Sequence, residues 1–197
     1  MKRLDIHESI LWRKLTLGDQ ESFRFFYEKY VDDLFSFGMK FLQEEDAVKD
    51  AIHDLFLDLY TYREKISLEV NVKYYLLFSL KRKLVANKKQ RVFNLSSDIG
   101  TVYITEEFQN SQEEECIDRE SHSEIQEVFK VEINALSERQ KEAIYLKYSQ
   151  DMSYEEIASI MGVNVATCRT LIYRAIKQLR SRIKFAQLVK SFDLILN

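Results

Sequence analysis

Proline is absent from all 197 residues of this chain, and glycine occurs at four positions, Gly18, Gly38, Gly100 and Gly162. Both residues break helices and shape tight turns, so their scarcity predicts a nearly all-helical fold. Apolar residues make up 46 %, with thirteen Phe and eleven Tyr, which is ample for a packed core in a globular protein. The length allows one large domain or two small ones.

Several classes of protein are excluded early. Asp5 and Glu8 interrupt what would be the apolar stretch of a signal peptide. The longest apolar run, residues 74–80, falls far short of the roughly 18 that a membrane helix needs. The chain therefore reads as cytoplasmic, without direct insertion into a membrane. Cys116 and Cys168 form no CxxC pair and no disulfide framework, and His7, His53 and His122 show no metal-ligand spacing. Cys116 with His122 makes half a zinc site at most. With no nucleophile constellation and no phosphate-binding loop, the expectation is a protein that is not an enzyme and uses no cofactor and no small-molecule substrate.

Net charge is −3, but it is unevenly spread. Residues 44–58 hold six acids (Glu44, Glu45, Asp46, Asp50, Asp54 and Asp58) against Lys49. Residues 63–91 carry nine Lys or Arg against Glu64 and Glu69, and residues 98–127 carry ten acids against Arg119. From residue 157 to 192 there are seven basic residues and no acid. Four blocks of alternating sign suggest surfaces for different partners.

Asp19 stands as an N-cap before apolar residues at 23, 26, 30, 34, 37 and 41, one helical face over about five turns. A second amphipathic helix is expected over residues 45–62, with Val48, Ala51, Ile52, Leu55, Leu59 and Tyr62 inward, and a third over 72–89. With a short helix at 5–15, these make an N-terminal helical domain. From residue 92 to about 123 the apolar periodicity lapses into Ser, Asn, Gln and Glu, the signature of a flexible acidic linker. Periodicity returns at Ile125, Val128, Phe129 and Ile133 and continues to about 183. The last residues, 186–197, read as a tail able to form a short helix.

Residues 136–183 are the most informative. Ser153 and Glu156 have capping-box spacing, and the following helix turns Ile157, Ala158 and Met161 inward. Gly162 permits a left-handed turn, Val163 plugs the corner, and Asn164 can cap the next helix. That helix places Cys168, Ile172, Ala175 and Leu179 on one face, which makes Cys168 a core residue. Its outer face offers Asn164, Val165, Thr167, Arg169, Thr170, Tyr173, Arg174 and Lys177. This is a helix-turn-helix whose second helix suits the major groove of DNA, with N-terminal side chains reaching base edges and flanking cations holding phosphates.

At these positions the chain resembles the fourth conserved region of RNA polymerase sigma factors of the extracytoplasmic-function (ECF) type. The matching residues are Leu136, Arg139, Gln140, Ser153 to Ala158 (SYEEIA), Gly162, Thr167, Arg169, Arg174, Ala175, Leu179 and Arg180. Ser137 stands where the family usually has proline, and serine can still cap a helix. Residues 17–62 are similar to the second sigma region. The resemblance implies that the helix carrying Asp50, His53, Asp54, Phe56, Leu57 and Asp58 docks on a basic coiled coil of core RNA polymerase. The four-residue recurrence of Asp50, Asp54 and Asp58 independently gives one acidic stripe. His53 replaces the family's usual Gln.

Residues 63–91 resemble the element that melts the minus-ten DNA. A basic helix with interleaved aromatics fits that work, since cations track the backbone while rings accept unstacked bases. The residues implied are Lys73, Tyr74, Tyr75, Phe78, Lys81, Arg82 and Lys83. Arg82 and Ala86 stand where the family commonly has Asn and Asp, so its base preference does not transfer. The loop at 63–70 shares only its position with the family's pocket for a flipped base.

The expected fold is all-α, with two helical domains joined by a flexible linker. Residues 1–91 would bind core polymerase and the minus-ten element, 92–124 would form the linker, 125–185 would read the minus-thirty-five element, and 186–197 would be the tail. The resemblance implies promoter-specific transcription initiation, with core RNA polymerase, promoter DNA and an anti-sigma factor as partners. The alternative is a conventional helix-turn-helix regulator that does not bind core polymerase as a sigma subunit.

Overall fold

The structure, a computed structural model, describes the backbone of residues 6–95 and 131–196 and the side chains of residues 7–86 and 131–182. Cys116, His122 and nearly all of the expected linker lie outside the described residues. Two compact units divide the chain, Met1–Gln109 and Asn110–Asn197. Among the described residues the regular structure is helical throughout, and no helix is long and apolar enough to cross a membrane.

The N-terminal unit contains α1 (Ile6–Thr16), α2 (Gln20–Phe41), α3 (Glu45–Thr61), a 3-10 turn (Arg63–Lys65) and α4 (Val72–Leu95). The chain reverses between α1 and α2 through Gly18, whose φ of 92° is open to glycine at little cost. Asp19 then caps α2, accepting from the Ser22 backbone N–H at 2.9 Å and from its hydroxyl. These hydrogen bonds hold the Asp19 carboxyl below its ordinary range.

The expected inner face of α2 is realised by Phe26, Tyr30, Leu34 and Phe37, all buried. They pack with Trp12 and Leu15 of α1, Ala51, Leu55 and Leu59 of α3, and Leu76, Leu77, Leu80 and Leu84 of α4. α2 lies close against α3 at Gly38, where an added Cβ would stand 2.5 Å from Val48 Cγ1. The Trp12 indole donates to the Ser67 carbonyl oxygen at 3.1 Å, tying the loop before α4 to the core. Tyr62, expected inward, is instead 55 % exposed, because α3 ends at Thr61 and the chain turns away.

The C-terminal unit includes a helical turn at 131–134, α5 (Glu138–Ile144), one π-helical turn (Tyr145–Ser149), α6 (Tyr154–Met161) and α7 (Val165–Leu196). Ser137 caps α5 in a reciprocal box with Gln140, so the serine in the usual proline position starts the helix by another route. Leu136, Ala143, Leu146, Met152, Ile157, Met161, Cys168, Ile172, Ala175 and Leu179 fill the core of this unit. Two backbone extents differ from expectation. α4 continues to Leu95, and α7 runs unbroken through the segment expected as a separate tail. Neither stretch contains the proline or glycine that would stop a helix.

Candidate nucleic-acid interface

The turn between α6 and α7 is built by three local devices. Ser153 and Glu156 close the capping box at the start of α6, with the Glu156 N–H donating to the Ser153 hydroxyl at 3.2 Å and the Ser153 N–H to the Glu156 carboxylate at 2.9 Å. Gly162 ends α6 at φ 64°, ψ 36°, the left-handed conformation expected of it. Asn164 starts α7 by accepting from the Thr167 N–H at 2.7 Å. Cys168 is fully buried beneath this turn, and burial pushes its thiol up from the ordinary value.

The outer face of α7 collects the side chains expected there. Thr167, Arg169, Thr170, Tyr173, Arg174 and Lys177 are exposed, Val165 is half-buried, and Asn164 is exposed though spent on its cap. Tyr173 is 65 % exposed, which is high for an aromatic ring with nothing to bind. Thr170 turns its hydroxyl back to the Ala166 carbonyl oxygen at 2.9 Å. Arg169 has two neighbours on α6: its guanidinium lies 5.4 Å from the Tyr154 ring centroid and 3.7 Å from a Glu155 oxygen. Lys147 approaches the same ring at 4.8 Å and donates to the Met152 carbonyl oxygen. This cluster went unread in the sequence, where Tyr154 and Glu155 stood only as part of a helix start.

In the N-terminal unit, Asp50, His53, Asp54, Leu57 and Asp58 form the exposed side of α3, opposite buried Ala51, Leu55 and Leu59. Phe56 is a correction. It is only 3 % exposed and meets Phe23 and Tyr27 edge-on at 5.9 and 4.9 Å, so it cannot touch a partner directly. An exposed apolar rim of Tyr27, Leu57 and Tyr60 lies beside the acids.

On α4 the expected residues divide into four groups. Tyr74, Phe78 and Arg82 follow one another at four-residue intervals on an accessible face. The two rings stack at 5.7 Å, and the guanidinium lies 5.9 Å from the Phe78 centroid. Lys73 and Lys83 are half-buried and paired within the unit, with Asp33 at 2.8 Å and Asp58 at 2.5 Å. Lys81 is a second correction. At 5 % exposure it points inward with its ammonium over the Phe41 ring, because it shares the face of Leu77 and Leu84.

Tyr75 sets its ring edge against Trp12 at 5.9 Å. It also helps to line a cavity of about 290 Å³ with Tyr62, Lys65, Ile66, Ser67 and Val70. This cavity occupies the 63–70 loop, where residue identity had suggested nothing beyond position. Among the described residues, no cluster of three or more His, Cys, Asp or Glu is placed to hold a metal ion.

The geometry defines a helix-turn-helix protein with a second helical unit bearing an acidic and a basic–aromatic surface. Residues 126–179 match the family model for sigma-70, region 4. Along most of its length the chain is similar to two ECF RNA polymerase sigma factors. It is 23 % identical to SigM of Bacillus subtilis (strain 168) over 159 residues, 79 % of this chain and 91 % of SigM. It is likewise 23 % identical to BldN of Streptomyces coelicolor over 163 residues, 82 % of this chain and 60 % of BldN. The fold matches the sigma factor RpoE, solved with the anti-sigma factor NepR from Bartonella quintana. The TM-score is 0.58 at 22 % identity, covering 83 % of this chain and 98 % of that one. CnrH, solved with the cytosolic domain of CnrY, matches with a TM-score of 0.56 at 16 % identity, over 90 % of this chain and 97 % of that one. Residues 126–179 of the C-terminal unit thus match sigma-70, region 4, and the chain along most of its length is similar to ECF sigma factors.

Proposed function

We propose that this protein is an ECF-type sigma factor that binds core RNA polymerase in the cytoplasm and directs it to promoters. The observation that carries this reading is the exposed outer face of α7, which over residues 165–182 holds no acid, on a correctly turned helix-turn-helix in the segment that matches sigma-70, region 4. Residues 125–185 would read the minus-thirty-five element as duplex, through Arg169, Thr170 and Tyr173, with Arg174 and Lys177 on phosphate. Residues 1–91 would hold the polymerase through Asp50, His53, Asp54 and Leu57, with Phe56 supporting that surface from beneath. The segment 92–124 would join the two, and 186–197 would extend α7.

The Tyr74–Phe78–Arg82 ladder would take unstacked bases of the minus-ten element, and the cavity beside Tyr75 has room for one flipped base. Polymerase supplies the chemistry of RNA synthesis, so this chain needs no cofactor and no catalytic group of its own. An anti-sigma factor is the expected regulator, as in the structure of RpoE solved with the anti-sigma factor NepR.

The test is reconstitution. The purified chain should co-elute with core polymerase and start transcription at discrete sites from a genomic fragment library. Failure to bind core polymerase would return the chain to the class of conventional regulators.

A further inference from the structure

We propose that Tyr154 and Glu155 of α6 are positioning residues for Arg169, presetting its guanidinium to read one guanine and keeping it from serving as a general phosphate anchor. The inference rests on the reading that α7 enters the major groove, and it assigns how one side chain there obtains its selectivity.

Arginine recognises guanine through two parallel N–H donors, which requires the guanidinium plane to lie along the base edge. An unsupported arginine on a helix samples many rotamers, and ordering it costs entropy at binding. Arg169 is 62 % exposed yet is approached by α6 in two ways. The Tyr154 ring lies 5.4 Å away, and one terminal nitrogen is 3.7 Å from a Glu155 oxygen. At 3.7 Å the carboxylate attracts the guanidinium without a close hydrogen bond, so the donors of the fork remain for a base.

Tyr154 is itself held in place. It sits in the first turn after the Ser153 cap, and its ring also carries the Lys147 ammonium, whose lysine is fixed by the Met152 carbonyl. Glu155 is exposed in the same first turn, where the helix dipole favours a negative charge.

The carboxylate has a second effect. The first helix of a helix-turn-helix crosses the DNA backbone, so Glu155 there repels phosphate. Arg169 next to Glu155 is therefore a poor phosphate anchor and is left for the base edge. The pair itself is exposed and contributes little stability; its effect is on orientation.

The experiment uses the full-length chain bound to core polymerase, selecting from duplexes randomised across the upstream promoter element. Arg169→Ala, Glu155→Gln, Tyr154→Leu and Tyr154→Phe are compared, with circular dichroism confirming that each folds. A bidentate guanine contact discriminates by about fivefold to a hundredfold. Arg169→Ala should abolish the preference at one base pair. Glu155→Gln and Tyr154→Leu should weaken the same preference by about fivefold or more. Tyr154→Phe, which keeps the ring, should retain it. Glu155→Gln should also bind a non-promoter duplex more tightly, with a steeper salt dependence. If Arg169→Ala erases the preference while Glu155→Gln and Tyr154→Leu leave it intact, the positioning role is overturned and the reading of α7 stands. If Arg169→Ala leaves the preference unchanged, Arg169 reads no base and the proposal falls with that assignment.

Discussion

Lys83 of α4 and Asp58 of α3 form an ion pair at 2.5 Å, joining the last acid of the α3 stripe to the basic side of α4. The three acids of the stripe are thus not equivalent. A double-mutant cycle with Asp58→Asn and Lys83→Met should reveal a coupling of up to about 1 kcal/mol in denaturant unfolding, since both partners are partly exposed. Additive effects of the two changes would show that the pair holds nothing together.

Asp50 and Asp54 face solvent, opposite the buried side of α3. Changing both to lysine should shift folding stability by about 0.5 kcal/mol or less per site. Against a basic polymerase surface the same change costs several kcal/mol, so holoenzyme should be lost. Competition for core polymerase between wild-type and doubly substituted protein measures this. A folded double variant that competes equally removes the acidic stripe from docking.

Arg174 lies later on the outer face of α7, where a cation meets phosphate more readily than a base. Arg174→Ala should weaken binding to all upstream sequences alike and reduce the slope of log affinity against log salt by about 0.9. A change of base preference at constant slope would reassign it as a reader.

Gly38 and Gly162 should respond differently to alanine. Gly162 has open space around its missing Cβ but a left-handed φ of 64°, so Gly162→Ala should cost about 1–2 kcal/mol of backbone strain. Gly38→Ala meets Val48 at 2.5 Å and should cost about 1–3 kcal/mol by overpacking. Val48→Ala should partly restore Gly38→Ala and leave Gly162→Ala untouched, as thermal melts can show.

Cys168 links pH to the stability of the C-terminal unit. Burial raises its thiol above the ordinary 9.0, so the unfolded chain gives up this proton first as pH rises. The contribution is complete below about pH 9 and declines above it. In a Cys116→Ser background, Cys168 should resist thiol reagents until denaturant is added. Rapid labelling of the folded protein would contradict its placement in the core.

What was legible in the sequence was what local chemistry determines. Asp19, Ser153, Gly162 and Asn164 each act within three or four residues of themselves, and each does what its type and spacing predicted. The inward faces of α2 and α7 followed from one period per helix. Phe56 and Lys81 were misplaced because both helices carrying them are covered on more than one side. There the neighbours on other helices, and not the period, decide which way a side chain turns. The pairing of Lys83 with Asp58, and the approach of Glu155 and Tyr154 to Arg169, are tertiary facts that no spacing encodes. The continuity of α4 and α7 is open to view in the sequence, since no proline or glycine stands in residues 90–95 or 184–196.

The hydrogen bond from Trp12 to the Ser67 carbonyl has an optical consequence. Trp12 is the single tryptophan of the chain, and Tyr75, beside its ring, is also a wall of the loop cavity. Indole emission depends on the polarity and hydrogen bonding around the ring, so the protein carries an intrinsic fluorophore aimed at this loop. Loading the cavity with a nucleobase, or pulling the loop from the core, should register as quenching or a spectral shift without any attached dye. A stopped-flow trace of that signal would time the loop's rearrangement separately from every event at the helix-turn-helix.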